Sequence, residues 1–307
     1  GAWSEEIRRL LEFPRDIYPE IKGTCEVCGT VTKQWQEKFH FKQDVKVLTG
    51  TGDNPAAAIA TGCFAKGYPV LSLGTSGVLM YPKKKINFEV KGKNILFSMD
   101  GKDVLILVQG VVQSTGSSLA WWVKNTLQAD DFMEETTGVD LKHLGENELM
   151  FYPHLVGDKT IYQDPELRGS FVGIGTDTTR KEMTIAVMEG IAFAVRQLVS
   201  VMGVSKEELA RLKVTGGGSK NEVWMQILAD VLNTKVEQLE SGAGAGYGIA
   251  LCAAAAGDEN LSMNDLIEQT VSIKNTFIPR QYNRELYEQK YQKYLRVYDA
   301  LKHIYQE

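Results

Sequence analysis

A strand that must stop and a helix that must start stand almost back to back in this chain. Val45 to Thr49 is a β-branched run that breaks at Gly50 and Gly52, and Asn54-Pro55 then opens an alanine-rich stretch. Branched side chains suit the pleated backbone of a strand, and glycine permits a sharp reversal. Asn is a favoured helix N-cap, and Pro fits the first helical position, where its missing N–H costs nothing. The succession predicts a strand, a tight turn and a helix, with Asp53 at the strand's C-terminal tip and beside the helix N-terminus. Open α/β sheets carry their chemistry at such tips, and a helix N-terminus favours negative charge. Asp53 is therefore the candidate catalytic carboxylate.

The same alternation recurs along the chain. A helix over Ser4–Leu11 and another around Thr32–Phe39 precede the Val45 strand. Tyr68 to Tyr81 reads as two apolar strands joined by Gly74-Thr75-Ser76-Gly77, a hairpin signature. Strand-like runs follow at Ile95–Met99, Val104–Val108 and Leu149–Tyr152, with a glycine-opened helix from Gly116 to Leu127. Thr179-Arg-Lys-Glu182 is a capping-box pattern, and Ile185, Met188, Ile191, Val195, Leu198 and Met202 recur at helical spacing behind it. Ser205–Glu208 and Ser219–Glu222 repeat the capping pattern. A strand at Leu212–Thr215, the turn Gly216-Gly217-Gly218 and a helix through Leu232 form a further strand–turn–helix unit. A strand at Lys235–Leu239, a small-residue helix after Gly244 and a tyrosine-rich terminal helix from Tyr282 complete the pattern. It predicts an α/β protein with at least one mixed sheet.

Composition removes several function classes. At 307 residues the chain is long enough for one large or two ordinary domains, and its net charge of −5 argues against nucleic acid or an anionic membrane as partner. Lys83-Lys84-Lys85, the densest basic run, reads as a solvated loop. The apolar stretch Gly244–Gly257 is too short to span a bilayer, and no secretory signal is visible. Four cysteines in a chain of this length do not make a disulfide scaffold, so a cytoplasmic location is expected. The chain starts Gly1-Ala2-Trp3 without methionine, as a processed product or the later part of a longer chain does.

Two glycine turns offer chemistry. Gly74-Thr75-Ser76-Gly77 presents backbone N–H groups and two hydroxyls, a nest suited to phosphate oxygens or an ordinary hairpin turn. Gly216-Gly217-Gly218 lies between a strand and a helix, where close approach and the helix dipole favour a nucleotide, although glycines there also serve packing. Neither is a Walker A motif or Gly-x-Gly-x-x-Gly. Cys25-Glu-Val-Cys28 has no companion ligands at zinc spacing. His40, His143, His154 and His303 are scattered, and Trp121-Trp122 reads as core and interface.

In this order, the Asp53 strand tip, the Gly-Thr-Ser-Gly hairpin, the Gly116 helix and the triple-glycine turn resemble the FGGY family of carbohydrate kinases, and within it the xylulokinase-like members. Gly52-Asp53-Asn54 resembles the family's catalytic segment, and Leu71–Gly77 its second phosphate motif. Phe151–Thr160, Asp164-Pro165 and Arg168–Gly173 are similar to its mid-domain signature, and Gly216–Asp230 to its adenosine motif. The resemblance implies an actin-like, ribonuclease-H-like fold and ATP-dependent phosphorylation of a sugar hydroxyl, with a ketopentose such as xylulose as substrate. Asp53 would be the general base. Gly74, Thr75, Ser76 and Gly77 would hold phosphates, Gly116 would admit them at its helix start, and Gly216, Gly217, Gly218 and Asn221 would line the adenosine pocket. Mg2+ would arrive with ATP, near Asp53, without a metal site of the chain's own. Gluconate or another polyol as acceptor, and a non-catalytic actin-like nucleotide-binding module, are the alternatives.

The departures are equally specific. The family's first phosphate loop and most of its first, sugar-recognising domain have no counterpart here. Thr160-Ile161-Tyr162 stands where relatives carry Thr-Pro, and the Cys25/Cys28 pair matches nothing in the pattern. Residues 1–66 are read as the tail of the first domain and residues 67–307 as the nucleotide-binding domain. The tail is expected to expose apolar surface, to dock on the rest of the first domain or a second copy of the chain, or to be poorly ordered.

Overall fold

The computed structural model describes residues 2–240, 244–258 and 260–305, the side chains of residues 65 and 66 excepted. The N-terminal segment comprises α1 (Glu5–Leu10), β1 (Val27–Thr30), α2 (Lys33–Lys38) and β2 (Lys46–Leu48). Ser4 caps α1 by accepting the Ile7 N–H at 3.3 Å, and β1 pairs antiparallel with β2. Neither helix buries a residue. Trp3, Trp35, Phe39 and Phe41 stand exposed, and Leu10 is 80% exposed, which is the unpartnered apolar surface expected of this segment.

Beyond it lie α3 (Asp53–Ala60), α4 (Cys63–Lys66), β3 (Val70–Leu73), β4 (Gly77–Lys83), β5 (Lys93–Phe97) and β6 (Leu105–Val112). Next come α5 (Gly116–Ala120), β7 (Met150–Tyr152), β8 (Ser170–Val172) and α6 (Arg180–Val201). The remainder is β9 (Arg211–Thr215), α7 (Glu222–Leu232), β10 (Lys235–Leu239), α8 (Ala245–Gly257), α9 (Met263–Thr270), β11 (Ile273–Phe277), α10 (Arg284–Leu295) and α11 (Val297–Tyr305).

Seven strands form the expected mixed sheet, in the order β11-β10-β9-β3-β4-β6-β5. β9 runs parallel to both β3 and β10, and the other neighbours are antiparallel. The parallel pairing of β9 with β10 requires a crossover, which α7 supplies. β7 and β8 make a separate pair. The long helix α6 is apolar and long enough to cross a membrane, yet Met188, Ile191, Val195 and Leu198 are fully buried in the core beside β4, β6 and α7. Its capping box is complete: Thr179 N–H donates to the Glu182 carboxylate at 2.7 Å, and Glu182 N–H to the Thr179 hydroxyl at 3.2 Å.

Residues 53–66 pack with the sheet. Ala58 and Cys63 are buried with Val70, Met80 and Leu107. Small side chains let α3 and α8 meet backbone to backbone, and a Cβ on Gly248 would stand 1.9 Å from the Ala56 carbonyl oxygen.

Three local expectations are corrected. Helix α3 starts at Asp53 with Gly52 as its cap residue, so Asn54 is not the cap and Pro55 is the third helical residue. The Asp53 carboxylate accepts the Asn54 N–H at 2.8 Å and so serves the helix start itself, and Pro55 still falls among the amides that lack intrahelical partners. Ser219 does not cap α7. A tight 3-10 turn over Gly217–Lys220 intervenes, Ser219 donates to the Gly216 carbonyl at 2.7 Å, and Asn221 caps by accepting the Trp224 N–H at 3.0 Å. The terminal tyrosine-rich helix is divided at Arg296 into α10 and α11.

Candidate active site

The β3–β4 hairpin and the start of α5 are one unit. Gly74 N–H donates to the Ser76 carbonyl at 3.1 Å, closing the turn. Gly116 N–H then reaches the Gly74 carbonyl at 2.9 Å, and the Thr115 hydroxyl reaches the same oxygen at 3.0 Å. Ser117 gives both its N–H and its hydroxyl to the Thr75 carbonyl, each at 3.0 Å. The turn's carbonyls are thereby taken up by α5. The Thr75 and Ser76 amides have no partner among the described residues, and the Thr75 side chain is exposed. Unpaired amides at a turn form an anion-binding concavity. Gly116 thus serves close packing, because its own N–H is consumed by the hairpin.

The second turn follows β9. Gly216 has φ +94, and a Cβ there would lie 2.7 Å from the Leu73 carbonyl oxygen, so the conformation and the contact both demand glycine. Gly217 faces open space, with nothing within 4 Å of a built Cβ. Its place at the start of a short helix leaves its amide without an intrahelical partner.

Between these turns lies a cavity of about 730 Å³. It is lined by Gly74 and Thr75 from the hairpin, Gly116 and Ser117 from α5, and Gly217, Gly218 and Asn221 from the second turn. Trp121, Phe132, Met133 and Trp224 supply an apolar wall, with Lys124, Lys220 and Asp131 at charged positions. The volume falls in the usual range for small-molecule sites, as does an apolar wall with a few polar groups. Asn221 lines the cavity but its amide is committed: the oxygen caps α7 and the nitrogen donates to the Thr136 hydroxyl at 3.0 Å.

Six of the glycine-turn and adenosine residues expected from sequence therefore meet at one cavity. Ser76, Gly77 and Gly216 support its walls from outside the lining, and Asp53 is not among the lining residues. Asp53 is exposed at the first position of α3. Trp121 and Lys124 were legible in one respect, since 116, 120 and 124, and likewise 117 and 121, fall on one face of a helix. After Ala120 that helix widens into a π-helical turn over Trp121–Thr126, a distortion frequent at functional sites. The tryptophan pair is divided: Trp122 is buried and donates to the Thr184 hydroxyl at 2.9 Å, whereas Trp121 stacks on Phe151 and reaches the cavity. Among the described residues no group of three or more His, Cys, Asp or Glu side chains could hold a metal ion.

The mixed sheet with its two glycine turns at one cavity belongs to the actin-like ATPase fold, shared with a xylulose kinase structure from Brucella ovis at TM-score 0.84 and 27% identity, covering 98% of this chain and 62% of that chain. The C-terminal-domain model of the FGGY family of carbohydrate kinases matches residues 70–257, and the chain belongs to that family. It is 30% identical over 303 residues to a xylulose kinase of Bacillus subtilis, covering 99% of this chain and 59% of that protein. A glycerol kinase of Lactococcus lactis is 32% identical over 244 residues, covering 77% of this chain and 47% of that one. The ligand-bound crystal structure of a xylulose kinase from Lactobacillus acidophilus superposes with TM-score 0.85 at 22% identity, over 99% of this chain and 61% of that chain. The chain spans about three fifths of the length of the xylulose kinases it matches.

Proposed function

We propose that this chain supplies the nucleotide-binding lobe and the catalytic base of an ATP-dependent carbohydrate kinase. The observation that carries the reading is the single cavity shared by Gly74, Thr75, Gly116, Gly217 and Gly218. The adenine and ribose fit against the apolar wall to which Trp121 and Trp224 contribute. The phosphates fit against the Thr75 amide and hydroxyl, which line the cavity and have no partner among the described residues.

Phosphoryl transfer needs an aligned acceptor, neutralised phosphate charge and a group to receive the acceptor's proton. Backbone amides of the two turns neutralise charge, and Asp53 takes the proton from the sugar hydroxyl. Mg2+ would arrive with the nucleotide, near Asp53, and would offset the phosphate charge, because the described residues hold no cluster of three or more His, Cys, Asp or Glu side chains to bind it otherwise. Ser76, Gly77, Gly116 and Gly216 hold the phosphate turns in shape, and Asn221 fixes the α7 end of the adenosine pocket.

A ketopentose such as xylulose is the proposed acceptor, supported by the xylulose kinase relatives. The glycerol kinase similarity supports a polyol as the second reading. The rest of a sugar-binding domain, or a second copy of the chain, is the proposed occupant of the apolar surface on residues 1–66. Calorimetric titration of the chain with Mg·ADP tests the nucleotide site. Saturable binding in roughly the millimolar range, about −4 kcal/mol, is expected of a site carrying part of the phosphate contacts. A flat titration at tens of millimolar nucleotide would remove the reading for this chain. Turnover against a panel of ketopentoses and polyols, in a protein of the relatives' length, decides between the acceptors.

A further inference from the structure

The cavity proposed to take a polyanionic nucleotide has one carboxylate among its described lining residues, Asp131. A carboxylate repels phosphate oxygens, so its place in the lining belongs to the nucleoside and not to the phosphates. Its chain neighbours agree, since Phe132 and Met133 are part of the apolar wall.

The segment that carries it is held in place. Asp131 Oδ1 accepts the Met133 N–H at 2.7 Å, which commits one carboxylate oxygen to the turn. The Met133 carbonyl accepts the Thr136 N–H at 3.1 Å and the Thr136 and Thr137 hydroxyls at 3.0 and 3.2 Å. Thr136 is buried, and its hydroxyl accepts the Asn221 side-chain amide at 3.0 Å. Glu135 beside it accepts Arg180 Nε at 3.0 Å. The Asp131 turn is thereby tied to the residue that caps α7, next to the triple-glycine turn. Several other polar groups of the lining are spent: the Asn221 amide at both ends, the Ser117 hydroxyl on the Thr75 carbonyl, and the Met133 backbone. Asp131 Oδ2 has no partner among the described residues.

An ionised carboxylate accepts hydrogen bonds and cannot donate them. In an adenine nucleotide the donors are the ribose hydroxyls and the exocyclic amino group. Asp131 is exposed to solvent, which suits a contact to the hydrophilic ribose rather than to the edge of a base packed on an apolar wall. We propose that Asp131 Oδ2 accepts a hydrogen bond from a ribose hydroxyl of the bound nucleotide, so that Asp131 selects ribonucleotides. The inference rests on the nucleotide reading of this cavity and adds to it the group that recognises the nucleotide's own sugar.

The test compares Mg·ADP with Mg·2′,3′-dideoxyADP and Mg·IDP, titrated into the chain and into Asp131→Ala and followed by tryptophan fluorescence. In the parent, ADP should bind about tenfold more tightly than dideoxyADP, the order expected of a hydrogen bond to a charged group. In Asp131→Ala the two should bind alike. A turn loosened by the substitution weakens both nucleotides equally and drops out of the ratio, so a merely structural role would leave the ratio unchanged. IDP keeps both hydroxyls and carries a carbonyl in place of the amino group, and it should behave as ADP does in both proteins. Equal binding of ADP and dideoxyADP by the parent, or a ratio that survives in Asp131→Ala, would overturn the ribose contact and leave the nucleotide site standing. A preference for ADP over IDP that vanishes in Asp131→Ala would assign Asp131 to the base instead. Absence of binding by all three nucleotides would remove the nucleotide site, and this contact with it.

Discussion

The Gly116 amide donates to the Gly74 carbonyl at 2.9 Å, and a Cβ on Gly116 would stand 2.3 Å from that same oxygen. Hairpin and helix are thus joined by a contact with no room for one extra carbon. Gly116→Ala should force the turn away from α5 and cost about 1–3 kcal/mol of stability, the range for overpacking. Because the turn carries the free Thr75 and Ser76 amides, nucleotide affinity should fall with it. Denaturant midpoints and ADP titrations measure the two effects. Unchanged stability would mean that the junction is soft and that the hairpin is not held as described.

The triple-glycine turn separates a backbone role from a ligand role. Gly216→Ala meets the Leu73 carbonyl and a left-handed φ, and should destabilise the fold by about 1–3 kcal/mol. Gly217→Val should leave the melting temperature near the parent's while weakening nucleotide binding about tenfold, about 1.4 kcal/mol, because its side chain projects into unfilled space. Equal losses of stability in both variants would contradict the geometry assigned to Gly217.

What was legible in the sequence was whatever local chemistry decides alone. Thr179 and Glu182 specify the start of α6 through two reciprocal hydrogen bonds, and their residue types are sufficient to find it. The strands β1 and β11, set by pairing to distant segments, were not visible. All four residues of β1 are exposed, so they carry no buried face to read, and β11 is an edge strand with only Asn275 and Phe277 half-buried. The start of α3 was misplaced by two residues because the Asp53 side chain, not Asn54, serves the first turn. For the site, glycine turns betray themselves by composition, whereas Phe132 and Met133 reach the cavity from an irregular segment that no period marks.

Asp158 gives the fold an acid-sensitive element. It is buried, and burial pushes its carboxyl upward. His154, whose Nδ1 lies 3.5 Å from one carboxylate oxygen, and the Tyr162 and Gln163 amides at 2.7 and 3.4 Å outweigh that and hold it below the usual aspartate range. A folded-state pKa below the unfolded one means stability present above the unfolded value and lost as pH falls through the folded value. The loss should therefore set in below about pH 4, the ordinary aspartate range. At neutral pH, Asp158→Asn should cost about 1–3 kcal/mol, because a buried network loses its charged acceptor. The gap between variant and parent should narrow as the pH drops below about 4, where the unfolded chain's carboxyl takes up its proton, and close as the pH falls through the lower folded value. Urea midpoints at pH 7 and pH 3 supply the comparison, and a gap that stays constant would rule the mechanism out.

Asp53 allows the catalytic reading to be separated from a structural one. Its carboxylate is exposed and, among the described residues, its hydrogen bond is the local one to the Asn54 N–H at 2.8 Å. Asn at this position keeps an oxygen for that bond, so Asp53→Asn should shift stability by less than about 0.5 kcal/mol, as surface substitutions do. Asp53 is not among the residues that line the cavity, so ADP binding by this chain should be unchanged. Turnover is another matter, since a positioned general base contributes on the order of 10²–10⁴-fold. In a protein of the relatives' length, measured by ADP release with saturating sugar, Asp53→Asn and Asp53→Ala should both lose at least a hundredfold in kcat, on the order expected of such a base. KM for ATP should hold. A variant that keeps more than about a tenth of the parent's turnover would remove Asp53 from the proton-transfer step. A parallel loss of ADP affinity would instead show that the carboxylate helps to shape the nucleotide site.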